Sequence, residues 1–305
     1  LEAAESLFLE QRPDRVLILG DTNSALASIV ARRLGIPVYH MEAGNRCFDD
    51  RVPEEVNRRI IDHTSSVLMP YTERSKSNLI REGFPENRIY VTGNPIGQVL
   101  DHYANQIEAS TVLTDLGLAS DRYFLVTAHR AENVDRPERL AALLEAMTAL
   151  HRSYEMPVVV SLHPRTRSQA ERQGVDLDQS GVMFLDPLGF SDFVHLERAA
   201  YCVLTDSGTV QEETCILGVP NVTIRDVTER PETLDVGSGI LAGMNADRIL
   251  SAVAIVVGQP SRWIAPAEYL VPNVAETVSR IVLGYRPELA GESVVGANQP
   301  EIKGQ

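Results

Sequence analysis

The sequence predicts an α/β protein with parallel sheets, folded as two domains, on three observations. Short apolar runs alternate with helical segments almost from end to end. The alternation falls into two series, the second starting near residue 121. Polar residues recur directly after the apolar runs, the edge at which open parallel sheets bind ligands.

In the first series the helical segment AAESLFLEQ leads into the strand RVLILG (15–20). DTNSALASIVARRLG follows as a helix with Asp21–Ser24 as its cap region. PVYHM (37–41) is the next strand, and the Gly, Asn, Asp and Pro of AGNRCFDDRVP make the stretch after it a loop. PEEVNRRIIDHT (53–64) reads as a helix with Pro53 in its first turn and Val56, Ile60 and Ile61 on an apolar side. SVLMP, TERSKSNLIREG and RIYVTG continue as strand, helix and strand.

In the second series YFLVTAH is a strand and PERLAALLEAMTALHRSY an amphipathic helix. MPVVVSLH and VMFLDP are strands, then FSDFVHLERA is a helix and YCVLTD a strand. GTVQEETCILG is a helix stopped by Gly218, PNVTIRD a strand and NADRILSAVAIVVG a helix. The stretch between the two series reads as a helix and a hinge. The expected domains are 1–100 and 101–272, with the helix 273–285 packing back on the first and the polar, Gly-rich 286–305 as a flexible tail. The first domain has few strands and reads as incomplete at its N-terminus.

The chain has 305 residues, 44% of them hydrophobic, and a formal net charge of −14. Acidity of this kind argues against general binding to nucleic acid or to an anionic membrane. No stretch is apolar for long enough to span a bilayer. Lys76 and Lys303 are the only lysines, so the positive charge is nearly all arginine, which suits bidentate recognition of phosphate. Cys47, Cys202 and Cys215 form neither a disulfide framework nor a metal-ligand pattern, which points to a reducing cytoplasm.

Asp21 follows RVLILG, Glu42 follows PVYHM, His129 follows YFLVTA, His163 follows PVVVSL, and Asp206 and Ser207 follow YCVL and its threonine. Each has a bland reading. Asp21 can cap the helix after it. Glu54 and Arg58, four apart on one helix, can be an ordinary pair worth about 0.3–0.5 kcal/mol. His129 can be a satisfied structural histidine. Glu42 has no helix to cap, which weakens the bland reading there. Ser207, Gly208 and Thr209 open a helix, where unpaired N–H groups and the dipole attract phosphate. GSGILAG (237–243) has the wrong spacing for a dinucleotide loop, with neither a clear strand before it nor a convincing helix after.

LGDTNS, MEAGNR, VPEEVNRR, VTAHRAEN, LHPRTR, TDSGTVQEE and RDVTERPE occur in this order. Together they resemble the non-hydrolysing UDP-N-acetylglucosamine 2-epimerase family from about residue 10 to residue 285. The resemblance implies a GT-B fold, two Rossmann-like doubly wound domains with the active site in the cleft. Family members begin with a strand and a Gly-x-Arg-Pro-Glu phosphate loop that this sequence lacks, so the first domain is expected to be truncated and its activity reduced. MEAGNRCFDDRVPEE and DSGT, in place of AGLR and DSGG, also resemble the branch forming UDP-N-acetyl-L-fucosamine.

The resemblance implies an isomerase that inverts carbon 2 of a UDP-2-acetamido sugar by eliminating UDP and adding it back. Position by position it makes Asp21, Glu42, Glu54, Arg58 and His129 catalytic, with Arg58 holding Glu54 ionised. It assigns His163, Phe193, Ser207, Gly208, Thr209, Glu213 and Arg230 to the UDP-sugar, Glu213 meeting the ribose hydroxyls, and it leaves Glu212 structural. It implies no NAD and no metal, a cytoplasmic homodimer, and a product feeding surface polysaccharide. The alternatives are a 2-epimerase of a UDP-6-deoxy-L-hexosamine, a hydrolysing epimerase, a GT-B glycosyltransferase, and an inactive UDP-binding fragment.

Overall fold

The computed structural model describes residues 1–130, 133, 135–162, 164–172, 181–259 and 262–285. His163 and the tail 286–305 lie outside the described residues. The chain divides into two compact units: Leu1–Pro95 with the chain from Val271 onward, and Ile96–Leu270.

In the first unit, α1 (Glu2–Gln11) leads to β1 (Val16–Leu19), a 3-10 turn (Asn23–Leu26) and α2 (Ala27–Arg33). Then come β2 (Val38–Met41), α3 (Pro53–Thr64), β3 (Val67–Met69) and α4 (Glu73–Arg81). The sheet is parallel in the order β1-β2-β3. Leu19, Met41 and Met69 lie level across it, so the residues after the three strands share one edge. β2 is buried along its whole length, His40 included, whereas Leu17 and Leu19 of the edge strand β1 are exposed.

Two expectations fail in this unit. RIYVTG is not a strand: Arg88 closes a 3-10 turn, and beside β3 the segment makes a bridge only at Ile89. The inward face of α3 is not the apolar one either. Val56 and Ile60 are exposed, and Ile61 is buried together with Glu55, Arg58 and Asp62. The helix turns these polar side chains inward because each finds partners there, described below. The last helix, Val274–Gly284, belongs to this unit: Val274 and Val278, one turn apart, pack on Tyr39, Val67 and Met69.

The second unit begins with α5 (Ile96–His102), α6 (Ala104–Glu108) and α7 (Val112–Asp115). Next are β4 (Phe124–Thr127), α8 (Pro137–Tyr154), β5 (Val158–Ser161), α9 (Pro164–Arg172) and β6 (Val182–Leu185). α10 (Phe190–Arg198), β7 (Cys202–Thr205), α11 (Gly208–Leu217) and β8 (Asn221–Thr223) follow. α12 (Pro231–Asp235), β9 (Gly239–Leu241) and α13 (Ala246–Val257) complete it. α5 falls here rather than with residues 1–95, because Gly97 packs so closely on Tyr269 that a Cβ would overlap its carbonyl oxygen.

The six strands are all parallel in the order β6-β5-β4-β7-β8-β9. Counted within the unit this is 3-2-1-4-5-6, the doubly wound Rossmann order. GSGILAG, discounted as a dinucleotide loop, contains the edge strand β9. Alternate strand residues feed two cores. Phe124 and Val126 meet Leu143 and Met147 of α8 and Ile249 and Val253 of α13, while Leu125 and Val203 meet Leu196 of α10 and Val210 of α11. Burying each such leucine contributes about 1.5–3 kcal/mol. The strand order reverses between β4 and β7, so their carboxyl ends open the crevice where such sheets bind ligands. Among the described residues no helix is long and apolar enough to cross a membrane.

Candidate active site

In the first unit, two strand ends present carboxylates. Gly20 turns the chain after β1 with φ 76°, and Asp21 follows. Glu42 follows β2 with φ 67°, a left-handed conformation that costs a non-glycine residue about 1–2 kcal/mol. Its N–H donates to the Met69 carbonyl at 3.2 Å, and its Oε2 lies 3.5 Å from where a Cβ on Gly20 would stand. Strain of this kind persists where the surroundings over-determine the backbone, and it gathers at functional sites.

Arg58 of α3 reaches both carboxylates. Its Nη2 donates to Asp21 Oδ2 and, at 3.0 Å, to Glu42 Oε1. The Arg58 side chain is 1% exposed and those of Asp21 and Glu42 are 15% and 14% exposed. Asn57 Nδ2 adds a hydrogen bond to the Asp21 carbonyl at 3.0 Å. Glu54 is half-buried in the first turn of α3, at the positive end of the helix. Two carboxylates locked on one guanidinium are held at a fixed separation. That arrangement can stabilise a developing cation and accept a proton.

In the second unit, the ends of β4 and β7 are tied by Asp206, which is 0% exposed. It accepts from the N–H groups of His129 at 3.1 Å and Arg130 at 3.0 Å, and from Asn133 Nδ2 at 2.9 Å. His129 Nδ1 lies 3.3 Å from the same carboxylate, and the His129 side chain is 38% exposed. After β7, Ser207 is the N-cap of α11, and Gly208 and Thr209 form its first turn.

The Arg230 guanidinium covers that turn, with Cζ 3.2 Å from the position of a Cβ on Gly208. Its Nε is paired with the buried Glu212, and Nη1 donates to the Glu229 carbonyl at 3.3 Å. A fixed cation and a helix N-terminus therefore converge on one point, which is the electrostatic requirement for a phosphate group. Phe193 of α10 packs partly into the core cluster that contains Leu125 and Val203. Glu213 is buried on α11 beside Glu197 of α10. Burial pushes its carboxyl up to about 8, with the neighbouring Glu197 working in the opposite sense and Glu212 adding repulsion.

The structure thus joins Asp21, Glu42 and Arg58 directly, and Ser207, Gly208 and Arg230 directly. Sequence reasoning missed the polar groups that hold these residues. Glu55 is 0% exposed and accepts from the Cys47 N–H at 2.8 Å and from Arg59 Nη2 at 2.7 Å, which fixes the loop after Glu42 to α3. His40, Arg46 and Asp62 form a buried cluster. A histidine inside the otherwise apolar VYHM was the available signal for it.

A sequence model of the family described as UDP-N-acetylglucosamine 2-epimerase matches residues 1–283. The UDP-N-acetylglucosamine 2-epimerase of Methanocaldococcus jannaschii is 43% identical over 269 residues, covering 86% of this chain and 74% of that protein. The UDP-2,3-diacetamido-2,3-dideoxy-D-glucuronate 2-epimerase of Pseudomonas aeruginosa is 39% identical over 257 residues, covering 84% of this chain and 71% of that protein. The crystal structure of the M. jannaschii enzyme in complex with UDP-GlcNAc and UDP matches with a TM-score of 0.87 and 40% identity, over 92% of this chain and 78% of that one. The two Rossmann-like domains of the GT-B fold are common to these relatives and to this chain. Motif order, sheet topology and similarity along nearly the whole chain agree, and the chain belongs to the UDP-N-acetylglucosamine 2-epimerase family of isomerases.

Proposed function

We propose that the protein is a non-hydrolysing UDP-N-acetylglucosamine 2-epimerase. The observation that supports this best is the buried Arg58 holding Asp21 and Glu42 at one parallel-sheet edge. The hydrogen on carbon 2 of the sugar is not acidic, because the neighbouring ring carbon carries no carbonyl. Breaking the carbon 1–oxygen bond first sends the electron pair out with UDP and leaves an oxocarbenium ion. Carbon 2 then gives its proton to a carboxylate, and the C–H pair becomes the double bond of a 2-acetamidoglucal. Protonation of carbon 2 from the other face and return of UDP to carbon 1 give the epimer, with no water consumed.

In this reading the N–H groups of Gly208 and Thr209 and the Ser207 hydroxyl, with Arg230 and His129, take up the charge on the departing diphosphate. Glu213 accepts from the ribose hydroxyls, and Phe193 and His163 contact the nucleotide. Asp21, Glu42 and Glu54 stabilise the cationic ring and move the proton on its two faces. The route runs on side chains and backbone, without NAD or a metal. A cytoplasmic homodimer whose product feeds surface polysaccharide belongs to the same reading and rests on the resemblance alone.

The test is incubation of the protein with UDP-N-acetylglucosamine in deuterated water, followed by proton NMR at carbon 2. Deuterium at carbon 2 together with UDP-N-acetylmannosamine is expected. Absence of both exchange and product would overturn the reading. The AGNR and DSGT variants favour one further arm: the 6-deoxy L-sugar nucleotide in the same tube identifies the alternative branch, and inertness towards both points to a transferase.

A further inference from the structure

His40 sits in the middle of β2 and is 0% exposed. Its Nε2 is 3.0 Å from the carbonyl oxygen of Gly20, and its Nδ1 is 2.7 Å from Asp62 Oδ1. A backbone carbonyl only accepts. Asp62 already accepts on Oδ2 from the Gly44 N–H at 3.2 Å and from Arg46 Nη2 at 2.7 Å. Burial alone would raise the Asp62 carboxyl, but the Arg46 guanidinium and the Gly44 N–H on Oδ2 favour the carboxylate. The ring therefore faces an acceptor on each side. A neutral imidazole has one N–H and would turn a lone pair on one of them inside a buried site.

The two acceptors lead to the two carboxylates of the site. Gly20, whose N–H also donates to the Met41 carbonyl at 3.3 Å, makes the turn that delivers Asp21. Gly44, with φ 74° and no room for a Cβ against the Ser75 carbonyl, makes the turn that follows Glu42. Arg46 in turn donates to Glu82 at 2.9 and 2.7 Å, so a doubly protonated His40 leaves this cluster with two cations and two anions.

We propose that His40 is a positioning residue: as a doubly protonated imidazolium it pins the Gly20 turn directly and the Gly44 turn through Asp62, and so sets the separation of Asp21 and Glu42 on Arg58. The positioning half rests on the epimerase reading; the protonation half does not.

The protonation half is read by long-range 1H–15N NMR of the histidine-labelled protein at pH 7.5, with the His40 signals assigned by their loss in His40→Gln. Two protonated ring nitrogens are expected, and one bare nitrogen would overturn the proposal whatever the enzyme's activity. The positioning half is read on His40→Gln, which supplies a donor to one side only. A displacement of the carboxylates on the order of 1 Å should lower kcat about 100-fold while the Kd for UDP stays unchanged. An unchanged kcat would overturn it. Should His40→Gln fail to fold, Asp62→Asn cuts the same tie from the other end and is expected to show the same split between kcat and UDP affinity. Absence of carbon 2 exchange in the unsubstituted protein would count against the epimerase reading and leave the NMR result standing.

Discussion

The guanidinium of Arg230 lies over the α-carbon of Gly208, at the first turn of α11. The contact explains why a glycine opens this helix. A methyl group would stand 3.2 Å from Arg230 Cζ, and Arg230 is buried and held by Glu212, so it cannot swing aside freely. Gly208→Ala should displace the guanidinium and weaken UDP binding about 10-fold or more, a loss of at least one charge-assisted hydrogen bond. The melting temperature should hold, since alanine is the better helix former. Calorimetric titration with UDP checks this, and an unchanged Kd would remove Arg230 from the diphosphate site.

Arg58→Lys separates charge from geometry. Lysine keeps the cation, but a single ammonium does not reproduce the fixed guanidinium plane that holds Asp21 and Glu42. The carboxylates are then free to splay. We expect kcat to fall about 100-fold with the Kd for UDP unchanged, because the nucleotide groups lie in the other unit. Arg58→Ala removes the cation that two half-buried carboxylates share and should cost about 1.5–3 kcal/mol of stability, read by urea unfolding. A fully active Arg58→Lys protein would show that the shared guanidinium is dispensable.

Asp206 has a different task, joining the loop after β4 to the end of β7. Asp206→Asn retains the size but loses the charge that draws two backbone N–H groups and Asn133. Hydrogen bonds to a charged group are worth about 1.5–3 kcal/mol each. The variant should therefore lose about 2–4 kcal/mol by urea unfolding and bind UDP more weakly, with His129 no longer fixed. Loss of stability with intact UDP affinity would make Asp206 a scaffold residue alone.

The sequence foretold the parts of this structure that depend on short-range pattern. The helix 53–64 has the limits that Pro53 and its charged run suggest, and the strands after residue 121 fall where their apolar runs do. It misjudged segments whose state depends on tertiary partners. RIYVTG has strand composition but pairs at a single bridge, and GSGILAG, where the sequence predicts no strand, completes a six-stranded sheet. Val56 and Ile60 gave an apolar stripe, but Glu55, Arg58 and Asp62 took the buried face. The reason is that Cys47, Asp21, Glu42 and His40, all distant in sequence, offered them hydrogen bonds. Candidate site residues were visible because strand ends are visible. The residues that aim them were not, since His40 and Asp62 carry no spacing that marks them as partners.

Glu197 and Glu213 make the stability of the second unit depend on pH. Both are buried, on α10 and α11, with the two carboxyls adjacent. Burial and the adjacent Glu213 push Glu197 well above its ordinary value, and burial carries Glu213 from 4.5 to about 8. A carboxyl raised in the folded state contributes its full share of stability below its unfolded value, and the share is lost as pH rises through the folded value. The melting temperature should therefore fall as pH rises from about 5 to about 8, the window in which the unfolded carboxyl has ionised and the folded Glu213 has not. Glu197→Gln removes one ionisable carboxyl and places an amide beside Glu213, which favours the ionised Glu213, so its profile should be flatter over the same range. If Glu213 accepts from ribose hydroxyls, UDP affinity in the unsubstituted protein should rise between pH 7 and pH 9 as the pair ionises. In Glu197→Gln it should already be high at pH 7. Parallel melting profiles for the two proteins would mean that the pair does not hold a proton at neutral pH.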